Sequence, residues 1–189
     1  MSSSHQLPKH PGLGIFLNTT GLFGICIALS VAFYYQLIES ELPCPLCLLQ
    51  RAGLIIIGCG FLSNIRIGIK NRHYCMMIAG CFLTGIIALR QVLLHIKPGD
   101  AGYGSNFLGF HFYTWALILS LLTLVAITAM LMVRAGKVST FQFPLYPRWS
   151  KAVMLFFVLL IAANLVSTIL ECGGGQCPAN PTGYLLLPG

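Results

Sequence analysis

Four cysteines stand in two close pairs, and each pair has neighbours suited to thiol chemistry. In "ELPCPLCLLQR", residues 41–51, Cys44 and Cys47 are separated by Pro45 and Leu46. Proline suits the first helical position, where its missing N–H is not needed. The spacing therefore predicts a helix start, with Cys44 at the N-cap and Cys47 in the first turn. A helix N-terminus carries partial positive charge, which favours a thiolate there. Arg51 follows Cys47 by four residues, so both project from one helix face, and a permanent cation one turn away stabilises an anion. The second pair lies in "ECGGGQCPANP", residues 171–181. Three glycines between Cys172 and Cys177 allow a tight turn, and so a Cα separation of about 4.4–6.8 Å, as a disulfide requires. With Pro178 and Pro181 behind it, this ring reads as an exposed, mobile disulfide. Spacing alone leaves open a thiol-exchange site or a static clip ending a helix. Together the pairs could supply four thiolates to zinc. Zinc pairs usually sit on polar knuckles, however, and Cys44–Cys47 opens an apolar run, so no metal is expected.

The elements that must position these thiols follow from composition. The 189-residue chain is 57% hydrophobic and 8% charged, against about 25% charge in a soluble domain. So few charges cannot cover a water-facing surface. Five apolar segments, 12–38, 42–65, 73–96, 112–133 and 152–170, each approach the roughly 20 residues a helix needs to cross hydrocarbon. The first is too long for the apolar core of a cleavable signal and reads as an uncleaved anchor. The net charge of +7 would suggest nucleic acid in a soluble protein. Here the basic residues fall between apolar runs, so no nucleic-acid partner is expected and the lipid bilayer is the first partner.

Charge placement gives an orientation. With the N-terminus inside, the inner segments hold Lys9, Arg66, Lys70, Arg72, Arg134, Lys137, Arg148 and Lys151 and no acid. The outer segments hold Lys97 and all four acids, Glu39, Glu41, Asp100 and Glu171. This positive-inside bias predicts a cytoplasmic N-terminus and a C-terminus on the outer face. Both cysteine pairs then share the outer face, the compartment where disulfides persist. The other cysteines, Cys26, Cys59, Cys75 and Cys81, lie within the spans and read as small buried hydrophobes.

Two arginines lie inside spans, Arg51 and Arg90, each about two turns from the outer end. Intramembrane charges commonly mark functional sites, with snorkelling to the headgroups as the plain alternative. Their similar depth points to a shared anion-stabilising pocket. "LRQVLLHIKPG" adds Gln91 and His95, i, i+4 partners on one helix face. "GFHFYTWA", residues 109–116, supplies an aromatic outer end to the fourth span, read mainly as an interfacial belt.

"PCPLCLLQR" before an apolar helix, and "LRQVLLH" at the end of the third, resemble the DsbB family of disulfide-bond formation proteins. The resemblance covers the first four spans. It implies a four-helix membrane bundle in the bacterial inner membrane that reoxidises a periplasmic DsbA-like thiol oxidase and passes electrons to ubiquinone or menaquinone. By resemblance, Cys44 exchanges with incoming thiols, Cys47 reacts with the quinone, Arg51 polarises it, and Arg90 and His95, with Gln91 beside them, help to hold its ring. The sequence also departs from the family. The loop 97–111 is short and lacks the usual cysteine pair, while a fifth span delivers Cys172–Cys177 to the same face. The expected architecture is thus all-α: a four-helix bundle over 1–135, a cytoplasmic loop and fifth span over 136–171, and a periplasmic tail over 172–189. The tail pair is expected to replace the missing loop pair as an electron shuttle. Two other readings remain: a membrane thiol reductase running electrons the other way, and a non-enzymatic membrane protein braced by outer disulfides.

Overall fold

The computed structural model describes residues 11–135, 148–179 and 181–187. Lys9, Lys137 and the loop 136–147 lie outside them. Among the described residues, five helices are long and apolar enough to cross a membrane: α1 (Pro11–Leu37), α2 (Pro45–Ile67), α3 (Asn71–Leu94), α4 (Phe112–Ala135) and α5 (Arg148–Cys172). The five apolar segments of the sequence fall on these five helices. The protein is an all-α, multi-pass membrane protein. Its lipid-facing character is visible in outward side chains such as Phe82, Ile86, Val125, Met132, Leu155 and Leu165, all exposed.

One small departure from all-α lies in the α3–α4 connection. Strand β1 (Asn106–Phe107) pairs antiparallel with β2 (Phe110–His111), Asn106 opposite His111. Leu108 and Gly109 turn the hairpin with φ of 50° and 85°. Two consecutive positive φ values give the twist that suits a two-residue hairpin. No alternating run in the sequence announces strands this short.

Packing follows chain order from α1 to α4, with the α2–α3 contact the most extensive. Small residues let those two backbones meet. A Cβ built on Gly80 would lie 2.9 Å from the Gly53 carbonyl oxygen, and one on Gly60 3.0 Å from that of His73. Leu22, Ile25, Leu29, Ile57, Ile65, Met77, Ile127 and Phe157 fill the core.

The fifth helix turns back past α4 and packs on α1 and α2. Hydrogen bonds hold it to α1 at both ends. Thr19 and Ser150 hydroxyls meet at 3.1 Å, and Gln36 Nε2 donates to Ser167 Oγ at 2.6 Å. Midway, the Phe157 ring fills the space a side chain at Gly58 would need. At the end away from the cysteine pairs, buried Asn64 links three elements. Its Nδ2 donates to Asn18 Oδ1 at 2.9 Å, and its Oδ1 faces His73 Nδ1 at 3.0 Å. Such pairs satisfy polar groups that would be costly if left bare in an apolar core.

Candidate redox site

Helix α2 begins as its proline dictates. Pro45 occupies the first turn, and Cys44 is the N-cap in extended conformation, with φ −69° and ψ 162°. Its sulfur accepts the Cys47 N–H at 3.1 Å, which satisfies one of the helix's unpaired donors. Cys44 and Cys47 form a disulfide with Cα atoms 5.0 Å apart. Cys44 is buried and Cys47 half-buried.

Helix α3 buttresses this disulfide. Gln91 Nε2 approaches Cys44 Sγ at 3.5 Å and Cys47 Sγ at 3.8 Å, while Gln91 Oε1 accepts from Gln50 Nε2 at 2.8 Å. Both amides are buried. Gln50 carries no charge to mark it in the sequence. Its signal was there: an amide in an apolar span, three residues after a redox-type cysteine.

Arg51 looks the other way, toward α1 and α5. Nη1 donates to Gln36 Oε1 at 2.6 Å and Nη2 to the Ala32 carbonyl at 3.1 Å. The guanidinium sits 5.5 Å from the Phe33 ring centroid, within cation–π range. Gln36 Nε2, already bonded to Ser167, also reaches Tyr184 Oη at 3.1 Å. Glu171 and Tyr184 both lie within the electrostatic reach of Arg51. A polar cluster drawn from α1, α2, α5 and the tail thus surrounds one guanidinium.

The second pair is a disulfide too, with Cys172 and Cys177 Cα atoms 4.6 Å apart. Gly173 and Gly174 take φ of 59° and 80°, the left-handed conformation that ends helices and favours glycine. The residues between the two cysteines, Gly173 to Gln176, are exposed, while the cysteines themselves are more enclosed. Cys172 is buried and Cys177 half-buried, because the chain folds back and Leu186 N–H donates to the Leu170 carbonyl at 3.1 Å. The four thiols stand as two separate disulfides and are not gathered as four ligands.

A groove of about 710 Å³ separates α2 from α5. Pro45, Leu48, Arg51 and Ile55 line one wall, Asn164, Leu165 and Thr168 the other, with Gln176 and Cys177 at the tail. Exposed Leu49 and Leu165 on its edges open it toward the apolar surroundings of the bundle. It is the place where parts of the two cysteine motifs meet.

The expected single pocket holding Arg51, Arg90, Gln91 and His95 is not what the structure builds. Successive helix residues point about 100° apart. Gln91 therefore turns inward to the Cys44–Cys47 disulfide while exposed Arg90 lines a shallow groove along α3 with Ile86, Leu89, Leu93 and Leu94. His95 ends α3, with Nδ1 3.1 Å from Asp100 Oδ1 and its ring stacked on Tyr113. The outer rings pack on one another: His111 stacks on Tyr113 at 5.1 Å and Tyr35 meets Phe112 at 4.5 Å. None of these rings lines the α2/α5 groove. Among the other cysteines, Cys26 and Cys81 are buried, but Cys75 is exposed; its position in α3 faces outward from the bundle, which corrects the expectation of burial.

The α3–α4 connection closes over the start of α2. Ser105 bonds Glu41 through its N–H at 3.1 Å and also through its hydroxyl, and Tyr103 Oη donates to the Leu42 carbonyl at 2.9 Å. Burial pushes the Tyr103 phenol up from its ordinary range, and Glu171 and Glu41 push it the same way. The Gly102 N–H, 2.8 Å away, and then His95 hold the Asp100 carboxyl below the usual range.

Residues 16–131 match the family model described as disulfide bond formation protein DsbB. The chain belongs to the DsbB family. The match takes in α2, α3 and the Cys44–Cys47 disulfide, and leaves α5 and Cys172–Cys177 outside it. Disulfide bond formation protein B of Nitrosospira multiformis is 36% identical over 90 residues, 46% of this chain and 50% of the relative. Its counterpart in Nitrosococcus oceani is 34% identical over 96 residues, 47% of this chain and 57% of the relative. The chain thus spans about half the length of the curated relatives it matches. No solved structure matches it.

Proposed function

We propose that this DsbB-family chain is a membrane thiol:quinone oxidoreductase that reoxidises a DsbA-like dithiol oxidase at the periplasmic face of the bacterial inner membrane. The observation that carries this reading is the α2/α5 groove, where Arg51 of one cysteine motif and Cys177 of the other line a single apolar cleft. A flat apolar ring with two carbonyl acceptors suits such a cleft. Its walls are largely aliphatic, and Arg51, Asn164, Thr168 and Gln176 offer donors. Ubiquinone or menaquinone, when bound, supplies the two-electron acceptor. The charge asymmetry of the loops supports the orientation, N-terminus cytoplasmic and cysteine pairs periplasmic.

The chain's own residues then act as follows. Cys177, the more exposed residue of its pair, receives the incoming partner thiolate, and Cys172 leaves. The resulting dithiol passes its electrons to Cys44–Cys47 by attack on that disulfide through a mixed disulfide. Cys44 takes the incoming thiol and Cys47 donates toward the quinone. The N-terminus of α2 stabilises the thiolate released on Cys47, while the Cys47 N–H, which donates to Cys44 Sγ, holds the attacked sulfur at the helix start. Gln91 holds both sulfurs against α3. Arg51 presents fixed positive charge to the groove. Arg90 and His95 lie outside this groove.

The double variant Cys172→Ser with Cys177→Ser tests the relay. Oxidation of the partner in cells falls sharply, while quinone reduction driven by dithiothreitol persists through Cys44–Cys47. Unchanged partner oxidation would show that the tail pair is a static clip.

A further inference from the structure

Glu171 is the group that the reading above leaves idle, and it is the most unusual side chain in the bundle. It is fully buried, and among the described residues neither carboxylate oxygen has a hydrogen-bond partner. A buried carboxylate without donors is costly. A purely structural residue at this position would be apolar. Glu171 also immediately precedes Cys172, itself buried. On α5 it follows Thr168 by three residues and Asn164 by seven, the spacing of one helix face, and those two line the groove. The charged and titratable groups around it are Arg51 from α2, Tyr103 from the α3–α4 connection, with Glu41 beyond it, and Tyr184 from the tail through Arg51. Arg51 is the one fixed cation of this set.

We propose that Glu171 is the proton carrier for the Cys172 thiol. This rests on the reading of Cys172–Cys177 as a redox-active pair. When a partner thiolate bonds to Cys177 Sγ, the Cys172–Cys177 bond breaks and its electron pair goes to Cys172. Beside an ionised Glu171, that thiolate would make two buried anions facing a single cation. A proton already on Glu171 moves to Cys172 instead, leaving a thiol and a carboxylate within the field of Arg51. The partner's second thiol then displaces Cys177, its proton passing to that sulfur, and the partner leaves as a disulfide. Cys172 next returns its proton to Glu171 as its sulfur bonds to Cys44 of the Cys44–Cys47 disulfide. One sulfur bond forms and one breaks, the electron pair leaves on the displaced cysteine of α2, and Cys172 is oxidised. The negative charge brought in by the partner thiolate therefore rests on Glu171 and not on Cys172, and no proton has to be drawn from water through the apolar groove.

The test uses the full chain in detergent micelles with Cys44→Ala and Cys47→Ala, so that the tail pair alone exchanges, and needs no quinone. Dithiothreitol is the probe, and the rate of Cys172–Cys177 reduction is followed by thiol alkylation from about pH 6 to 9. General acid–base help is worth about 10²–10⁴-fold. Glu171→Gln should slow the reaction by at least about tenfold, the low side of that range, and remove an inflection from the pH profile. Glu171→Asp should restore the inflection. An equal rate with an unchanged profile in folded Glu171→Gln overturns the proposal. Infrared difference spectra of the same protein, reduced minus oxidised, give a reading that needs no substitution at 171. A protonated-carboxyl band should change on reduction, and it should survive Glu39→Gln with Glu41→Gln and Asp100→Asn. No carboxyl change, or one abolished by those three substitutions, overturns the proposal. Failure of the relay itself shows separately, as unchanged partner oxidation in the Cys172→Ser, Cys177→Ser variant, and takes the proton role with it.

Discussion

At the scale of single residues, the account turns on which polar groups touch which sulfur. Gln91 bridges Gln50 and both sulfurs of the α2 disulfide. Gln91→Leu removes that bridge and leaves the Gln50 amide buried without an acceptor. Leaving a buried polar group unsatisfied costs about 1–3 kcal/mol, so unfolding in mixed micelles should show a loss of that size. No loss would mean that Gln50 finds another partner. Asp100 gives a pH prediction. Its carboxyl is held below the usual range by the Gly102 N–H and His95, so its ionised form belongs to the folded loop. That support is present above the ordinary carboxylate range and disappears as pH falls through the lowered folded value. Hydrogen exchange at the Gly102 amide should accelerate on acidification, and Asp100→Asn should be fast at every pH. The cysteines, Pro45 and Arg51 were legible in the sequence because spacing and helix-start rules name them directly. Gln50, Gln36 and Glu171 were not singled out, because an amide or carboxyl becomes informative only when its neighbours are known.

At the scale of elements, α5 lies outside the residues that match the family model. Its existence was plain from 19 apolar residues, 152–170, but its docking partner was not. Helices that follow each other usually pack together, which would have put α5 on α4. Instead it lies on α1 and α2, held by Thr19–Ser150, Gln36–Ser167 and the Phe157 ring against Gly58. Those contacts join residues far apart in sequence, which hydropathy cannot see. Gly58→Leu should force Phe157 away. Overpacking of this kind costs about 1–3 kcal/mol, and amide exchange in α5 should rise while exchange along α2–α3 stays close to that of the unchanged protein. A uniform rise across all helices would place α5 within one cooperative unit with the rest. Tyr184→Phe, which removes the tail's bond to Gln36, should cost about 1 kcal/mol and expose Cys172 to alkylation after mild reduction. An unchanged alkylation rate would show that the Leu186–Leu170 bond alone keeps the tail in place.

At the scale of the whole molecule, five spans with basic loops at one end and acids at the other predict a single orientation. Alkaline phosphatase fused after Gly189 should be active, and the same enzyme fused within 136–147 should be inactive. The reverse pattern would move both cysteine pairs to the reducing side and end the oxidase reading. The bundle and its α2 redox motif could be read from sequence because hydropathy and local spacing fix them. A single pocket for both arginines could not, since Arg90 and Gln91 diverge by one helical step and Arg51 turns toward a helix whose packing the sequence does not encode locally. The central claim is that Cys44–Cys47 passes electrons to quinone. The measurement that meets it most directly is quinone reduction by the purified chain with dithiothreitol as donor and a short-chain ubiquinone as acceptor. Steady turnover is expected from the unchanged protein, with its loss in Cys47→Ala and retention in Cys172→Ser, Cys177→Ser. Turnover that survives Cys47→Ala, or none in the unchanged protein, would contradict it.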